Sequence, residues 1–230
     1  MELKKQQTPR SQAGFTLIEI AVVLVIIGLL LGGVLQGQQL IENSRVKSAT
    51  NDFNGIAAAA FSYQDRYGRL PGDDPNVGLG RGSSWSIDGG TTAIQAGDGD
   101  GIIESANGLF AAAITNTDEN ALFFQHMRAA GFIQGDATQE AENALPANPF
   151  GGLTSVTTQT TNAMSGTKVC MSNVGGSAAI ALDTQLDDSN PDNGRLRATD
   201  GVAGANTEPD AAIDTTTYSE DEVYTICYRI

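Results

Sequence analysis

One uninterrupted apolar run constrains this chain before anything else does. Phe15 to Leu35 reads FTLIEIAVVLVIIGLLLGGVL, 21 residues in which Glu19 is the single ionisable side chain. As an α-helix the run rises about 31 Å, close to the hydrocarbon thickness of a bilayer. Lys4, Lys5 and Arg10 precede it, with only Glu2 against them. A basic flank of this kind belongs on the cytoplasmic side, so the bulk of the chain is expected outside. An ordinary secretory signal ends in a small-residue cleavage site, and Leu35-Gln36-Gly37-Gln38 offers none. A plain signal anchor fits all of this except Glu19. A carboxylate inside hydrocarbon is costly and marks a functional position with a partner. The competing reading is a carboxylate that snorkels towards the headgroups.

The residues Ala13-Gly14-Phe15-Thr16-Leu17-Ile18-Glu19 carry a family resemblance. GFTLIE, behind a basic leader and ahead of an apolar tail, resembles the prepilin processing motif of type IV pilins and type II secretion pseudopilins. The resemblance implies cleavage between Gly14 and Phe15 by a membrane-embedded prepilin peptidase, followed by N-methylation of Phe15. Glu19 then becomes the fifth residue of the mature chain. A buried ammonium and a buried carboxylate each carry a desolvation penalty that pairing offsets. Glu19 of one subunit pairing with the Phe15 ammonium of the next would set the axial register of a helical, non-closing polymer. The implied partners are other pilin-like subunits, the prepilin peptidase and the inner-membrane assembly machinery. The implied location is a single-pass cytoplasmic membrane anchor with the head outside, then a periplasmic or cell-surface filament.

The helical pattern continues past Gln36. Val46, Ala49, Phe53, Ile56, Ala57, Ala60, Phe61, Gln64 and Tyr67 recur at spacings of three and four, and no Pro interrupts residues 15 to 70. Phe15 to Tyr67 as one helix would be about 80 Å long. Gly28, Gly32, Gly33 and Gly37 form two GxxxG spacings, which permit close helix approach but are also common in membrane helices generally. Many members of the resembled family carry a Pro where this chain has Gln36.

The remainder is acidic and turn-rich. From residue 51 onward, 24 Asp and Glu stand against 8 Lys and Arg, a formal balance of −16. Such a surface repels phosphate backbones, so nucleic acid is not an expected partner. Pro71 and Gly72 end the long helix, and residues 72–108 are rich in Gly, Asp and Ser. Asp98, Asp100 and Glu104 in GDGDGIIE are candidate calcium ligands, since alternating carboxylates and glycines suit oxygen ligation. The EF-hand spacing fails, and a tight turn into a short strand competes. Asp183, Asp187 and Asp188 form a second candidate cation site, against a turn built on Asp-Asp-Ser-Asn-Pro and Asn-Gly.

A helix is expected from Asp118 to Arg128 before Gly131, with His126, the lone histidine, on its solvent side or capping a loop. Strands are expected at 168–171, 178–182 and 222–230. Cys170 and Cys227 are the only cysteines, and one bridge is the simplest pairing if this part is exported; two free thiols are the alternative. A bridge would pin the C-terminal end, as the C-terminal disulfide loop does in many pilins. LPGDDPN, GDGDGIIE, FFQHMRAAGFIQGD and LDDSNPDNGRLRA also resemble, more loosely, segments of a group of bacterial pilin-like proteins.

The expected fold is α+β and pilin-like: a long N-terminal helix, membrane half plus packed half, and a small antiparallel sheet head with long loops. The expected organisation is a cleaved basic leader at 1–14, a transmembrane or filament-core half of the helix at 15–36, its outer half at 37–68, and a globular head at 69–230 closed by the disulfide loop. The function read from this is a structural subunit of a type IV pilus-like or type II secretion pseudopilus filament, minor rather than major. The alternative is an adhesin-like binding protein at a filament tip or on the membrane anchor, using the acidic loops with or without calcium. No nucleophile motif, HExxH or phosphate loop is present, so catalysis is not expected.

Overall fold

The computed structural model describes residues 16–111, 114–115, 117–213 and 215–230. Its elements are α1 (Leu17–Tyr67), α2 (Glu119–Ala129), β1 (Thr154–Thr157), β2 (Lys168–Gly175), α3 (Gly176–Leu186), β3 (Leu196–Asp200) and β4 (Val223–Arg229). The architecture is α+β. The chain divides into two units, Met1–Glu42 and Asn43–Ile230.

In the first unit the apolar side chains of α1 find no cover. Leu17, Leu24, Leu29 and Leu35 are each more than 60 % exposed. Among the described residues, α1 is the one helix long and apolar enough to cross a membrane.

In the second unit α1 buries Val46, Ala49, Phe53, Ile56, Ala59, Ala60 and Tyr63. Spacings of three and four keep these on one face. The sequence pattern placed Phe61 in that stripe and missed Tyr63; Phe61 is in fact 58 % exposed and Tyr63 fully buried. One residue of helix turns the side chain by about 100°, enough to carry position 61 off a stripe that passes through 60 and 63. The helix stops at Gly68, whose φ of 68° is left-handed and whose amide still reaches Gln64 O at 2.8 Å. This is the glycine stop common at helix C-termini.

The four strands form one antiparallel sheet in the order β1-β2-β4-β3. β4 is central, which explains its near-complete burial. Its side chains alternate between two cores. Tyr224, Ile226 and Tyr228 join the main core with α1, α2 and α3, and the Tyr228 ring lies 5.4 Å from that of Phe53. Cys227 faces the other way, into a smaller cluster with Cys170, Leu109, Phe110 and Met164. Cys170 and Cys227 stand directly opposite in the β2–β4 register and form a disulfide.

Residues 178–182, expected as a strand, are helical. The buried positions Ala178, Ala179, Leu182 and Asp183 follow a helical period, not alternation. The segment is also alanine-rich, which favours helix, and its one β-branched residue is Ile180. Its first residue is Gly176 for a steric reason. A Cβ there would sit 1.9 Å from Ser219 O.

Candidate functional site

Gly14 and Phe15, the expected cleavage and methylation positions, lie outside the described residues. The next residues begin α1 with a reciprocal cap. Thr16 precedes the first helical residue, and Glu19 is the third residue inside. Glu19 Oε2 accepts the Thr16 N–H at 2.8 Å and the Thr16 hydroxyl at 2.7 Å. Thr16 Oγ1 in turn accepts the Glu19 N–H at 3.3 Å. This is a capping box, which satisfies otherwise orphaned amides at a helix start. Both residues were legible in GFTLIE, but their mutual hydrogen bonding was missed; Thr-x-x-Glu is its sequence signal.

The head has its own polar constellation where the chain leaves α1. Asp74 is fully buried and accepts hydrogen bonds from Tyr63 OH at 2.8 Å and Asn76 N at 2.9 Å. Arg81 pairs with it at 2.8 Å and donates to Tyr63 OH at 3.1 Å. The Arg81 guanidinium also lies 4.4 Å from the Tyr67 ring centroid and 4.9 Å from that of Trp85. Burial opposes ionisation of Asp74. Arg81 and the hydrogen bonds from Asn76 and Tyr63 outweigh it and hold the carboxyl below its usual range.

His126 is not on the solvent side. It is completely buried. Nδ1 accepts the Gly72 N–H at 3.0 Å, and Nε2 meets Gln95 O at 2.9 Å, so the ring is neutral with its proton on Nε2. Burial pushes its pKa down to about 4. Helix α2 is buried on nearly every side, so no face was left to solvent for His126 to occupy. The unfolded chain binds this proton near pH 6.5 and the folded chain only near 4. His126 therefore contributes stability that is complete above pH 6.5 and is lost as pH falls towards 4, on the order of 3 kcal/mol. Asp183, raised to about 6 by burial, titrates in the same window with the opposite sign. Urea unfolding of wild type and His126→Gln at pH 7 and pH 4 separates the two. The variant should lack that acid-dependent loss, and an identical pH slope in both proteins would disprove the assignment.

The structure regroups the candidate cation ligands. Asp98 and Asp100 meet Asp73, and one carboxylate oxygen of each lies within 4.8 Å of the others. Glu104 is not in that group; it lines a separate cleft with Asp98, Asp118 and Glu119. Asp73, 25 residues before Asp98, had no spacing signal to connect it with GDGDG. Asp183, Asp187 and Asp188 also converge. At least one oxygen of each accepts a protein donor. Asp183 accepts Tyr218 OH at 2.7 Å and Ser189 N at 3.2 Å, Asp187 accepts the Arg195 and Leu196 amides, and Asp188 accepts Asn190 N at 3.0 Å.

Residues 9–35 match the model of the prokaryotic N-terminal methylation motif. The motif, the long apolar helix and the small antiparallel sheet together fit a type IV pilin-like protein. The match covers the GFTLIE segment, the few residues before it and the apolar half of α1, and the long helix with a small antiparallel sheet is pilin-like architecture. A search of curated proteins found no match. In a pilin-like chain the motif implies processing by a prepilin peptidase and assembly with other pilin subunits. The uncovered apolar side chains of α1 up to Glu42 suit a membrane before assembly.

Proposed function

We propose that this pilin-like protein is a minor structural subunit of an extracytoplasmic type IV pilus-like or type II secretion pseudopilus filament. The methylation motif directly ahead of an exposed apolar helix carries this reading. Residues 1–14 are the leader, 15–36 the membrane and filament-core segment, 37–68 the outer half of the helix, and 69–230 the head. The peptidase cuts after Gly14, and Phe15 becomes the methylated first residue. Glu19 then pairs with the Phe15 ammonium of a neighbouring subunit. The capping box supports this role, because it holds the Glu19 carboxylate at the helix N-terminus, where the new ammonium is formed. Gly28, Gly32, Gly33 and Gly37 support it too. A Cβ at any of them meets nothing within 4 Å in this chain, so a need for glycine there comes from a neighbouring helix. The irregular head with its long 72–108 loop favours a minor subunit.

Intact mass and N-terminal sequencing of the protein from membranes, with and without the prepilin peptidase, test the reading. The mature chain should begin at methylated Phe15 only when the peptidase is present. The Glu19→Gln variant should be cut normally yet fall at least about tenfold in sheared filaments, as a lost buried ion-pair partner would cause. An uncut chain in both membranes rejects the proposal.

A further inference from the structure

We infer that Asp73, Asp98 and Asp100 form a binding site for a hard divalent cation of the calcium class, beside the C-terminal end of α1. Oxygens around one calcium stand at about 2.4 Å from it, so two of them are at most about 4.8 Å apart. The three carboxylates meet that limit pairwise. Acidic residues often cluster without an ion, and the deciding group is Asp73. Its side chain is buried, with the residue only 2 % exposed. Oδ2 accepts the Gly101 N–H at 3.1 Å, whereas Oδ1 is buried and has no hydrogen-bond partner among the described residues. A buried carboxylate oxygen without a donor is costly unless a cation takes it up. Asp98 and Asp100 close the site from the solvent side, where both are exposed and where a cation enters without crossing the core.

The chain holds the two halves of this site together by backbone contact. Gly97 N donates to Asp74 O at 3.1 Å. A Cβ on Gly97 would come within 2.3 Å of Gly72 O and 2.5 Å of Asp73 Cα, so only glycine allows the approach. The Asp98 and Asp100 arm is thereby fixed against Asp73 across a long stretch of sequence. A bound cation clamps the 72–108 loop onto the end of α1. Asp98 Oδ1 accepts the Asp100 N–H at 3.1 Å and Asp100 Oδ1 the Ile102 N–H at 2.7 Å, so it is the partnerless Asp73 oxygen that sets this site apart; the Asp183 cluster has no buried oxygen without a hydrogen-bond partner among the described residues. The inference concerns the head alone and does not depend on the filament reading.

The test uses the full chain in detergent micelles, stripped with EGTA and titrated with calcium chloride by calorimetry, with melting followed in parallel. One ion per chain should bind with a Kd of about 10⁻⁵ to 10⁻³ M, the range from sensor to extracellular calcium sites. Calcium should raise the melting temperature of the head. Asp73→Asn and Asp100→Asn should each weaken binding at least about tenfold, because affinity follows ligand charge, while Asp188→Asn should leave it within about twofold. Asp100 is exposed, so its variant reports on the site even if Asp73→Asn does not fold. Absence of heat and of a melting shift at about 10 mM calcium, well above that Kd range, overturns the proposal. So does binding that survives both Asp73→Asn and Asp100→Asn, or binding that is lost in Asp188→Asn.

Discussion

Replacing Cys170 and Cys227 together by alanine should destabilise the head by about 4 kcal/mol, the chain-entropy value for a loop of this length. The bridge joins residues 57 apart in sequence. Without it the unfolded chain regains the freedom of that whole loop, which includes α3 and β3. The folded state also loses packing, because both cysteines are buried against Leu109, Phe110 and Met164. β4 lies between β2 and β3, so the bridge holds the central strand on which the register of the sheet depends. For a domain of 150–250 residues, 4 kcal/mol corresponds to a fall in Tm of about 8–16 °C. Denaturant unfolding of the double variant, beside wild type with and without reductant, measures it. A loss below about 1 kcal/mol would show that the sheet holds its register unaided. The double variant is preferred to either single one, which would leave a lone thiol.

Asp74→Ala should cost about 3–5 kcal/mol, comparable to breaking other buried ion pairs from one side. The substitution strands the Arg81 guanidinium, whose side chain is 19 % exposed, and removes the acceptor of the buried Tyr63 hydroxyl. It also frees the Asn76 amide, so the start of the 72–108 loop loses its anchor to α1. Asp74→Leu combined with Arg81→Met should recover much of the loss, since an apolar pair leaves no unmatched charge. Thermal unfolding of the two single variants and the double variant decides it. Strictly additive losses would mean that Asp74 and Arg81 do not act as a pair.

Features whose signal is local were legible in the residues. GFTLIE behind a basic N-terminal segment, the apolar run to Leu35, the helix ending before Pro71, α2, and the alternation of β4 are all properties of consecutive residues. The segment at 178–182 misled because a short apolar run has no periodicity of its own; burial against β2, β3 and β4 decided that it is a helix. β1 and β3 were missed for a related reason. Thr-Ser-Val-Thr and Leu-Arg-Ala-Thr-Asp are too short and too polar to announce strands, and pairing with β2 and β4 makes them so.

Composition and spacing along single elements were therefore enough for the long apolar helix, the N-terminal methylation motif and the acidic, turn-rich character of the head. Three-dimensional packing was needed to show that His126 is buried between Gly72 and Gln95, that Asp74 meets Arg81 and Tyr63, and that Asp73, not Glu104, joins Asp98 and Asp100. These are meetings of residues distant in the chain. They are set by which side chains the packing of α1, α2 and the long loop can desolvate together, a quantity that no window of consecutive residues contains.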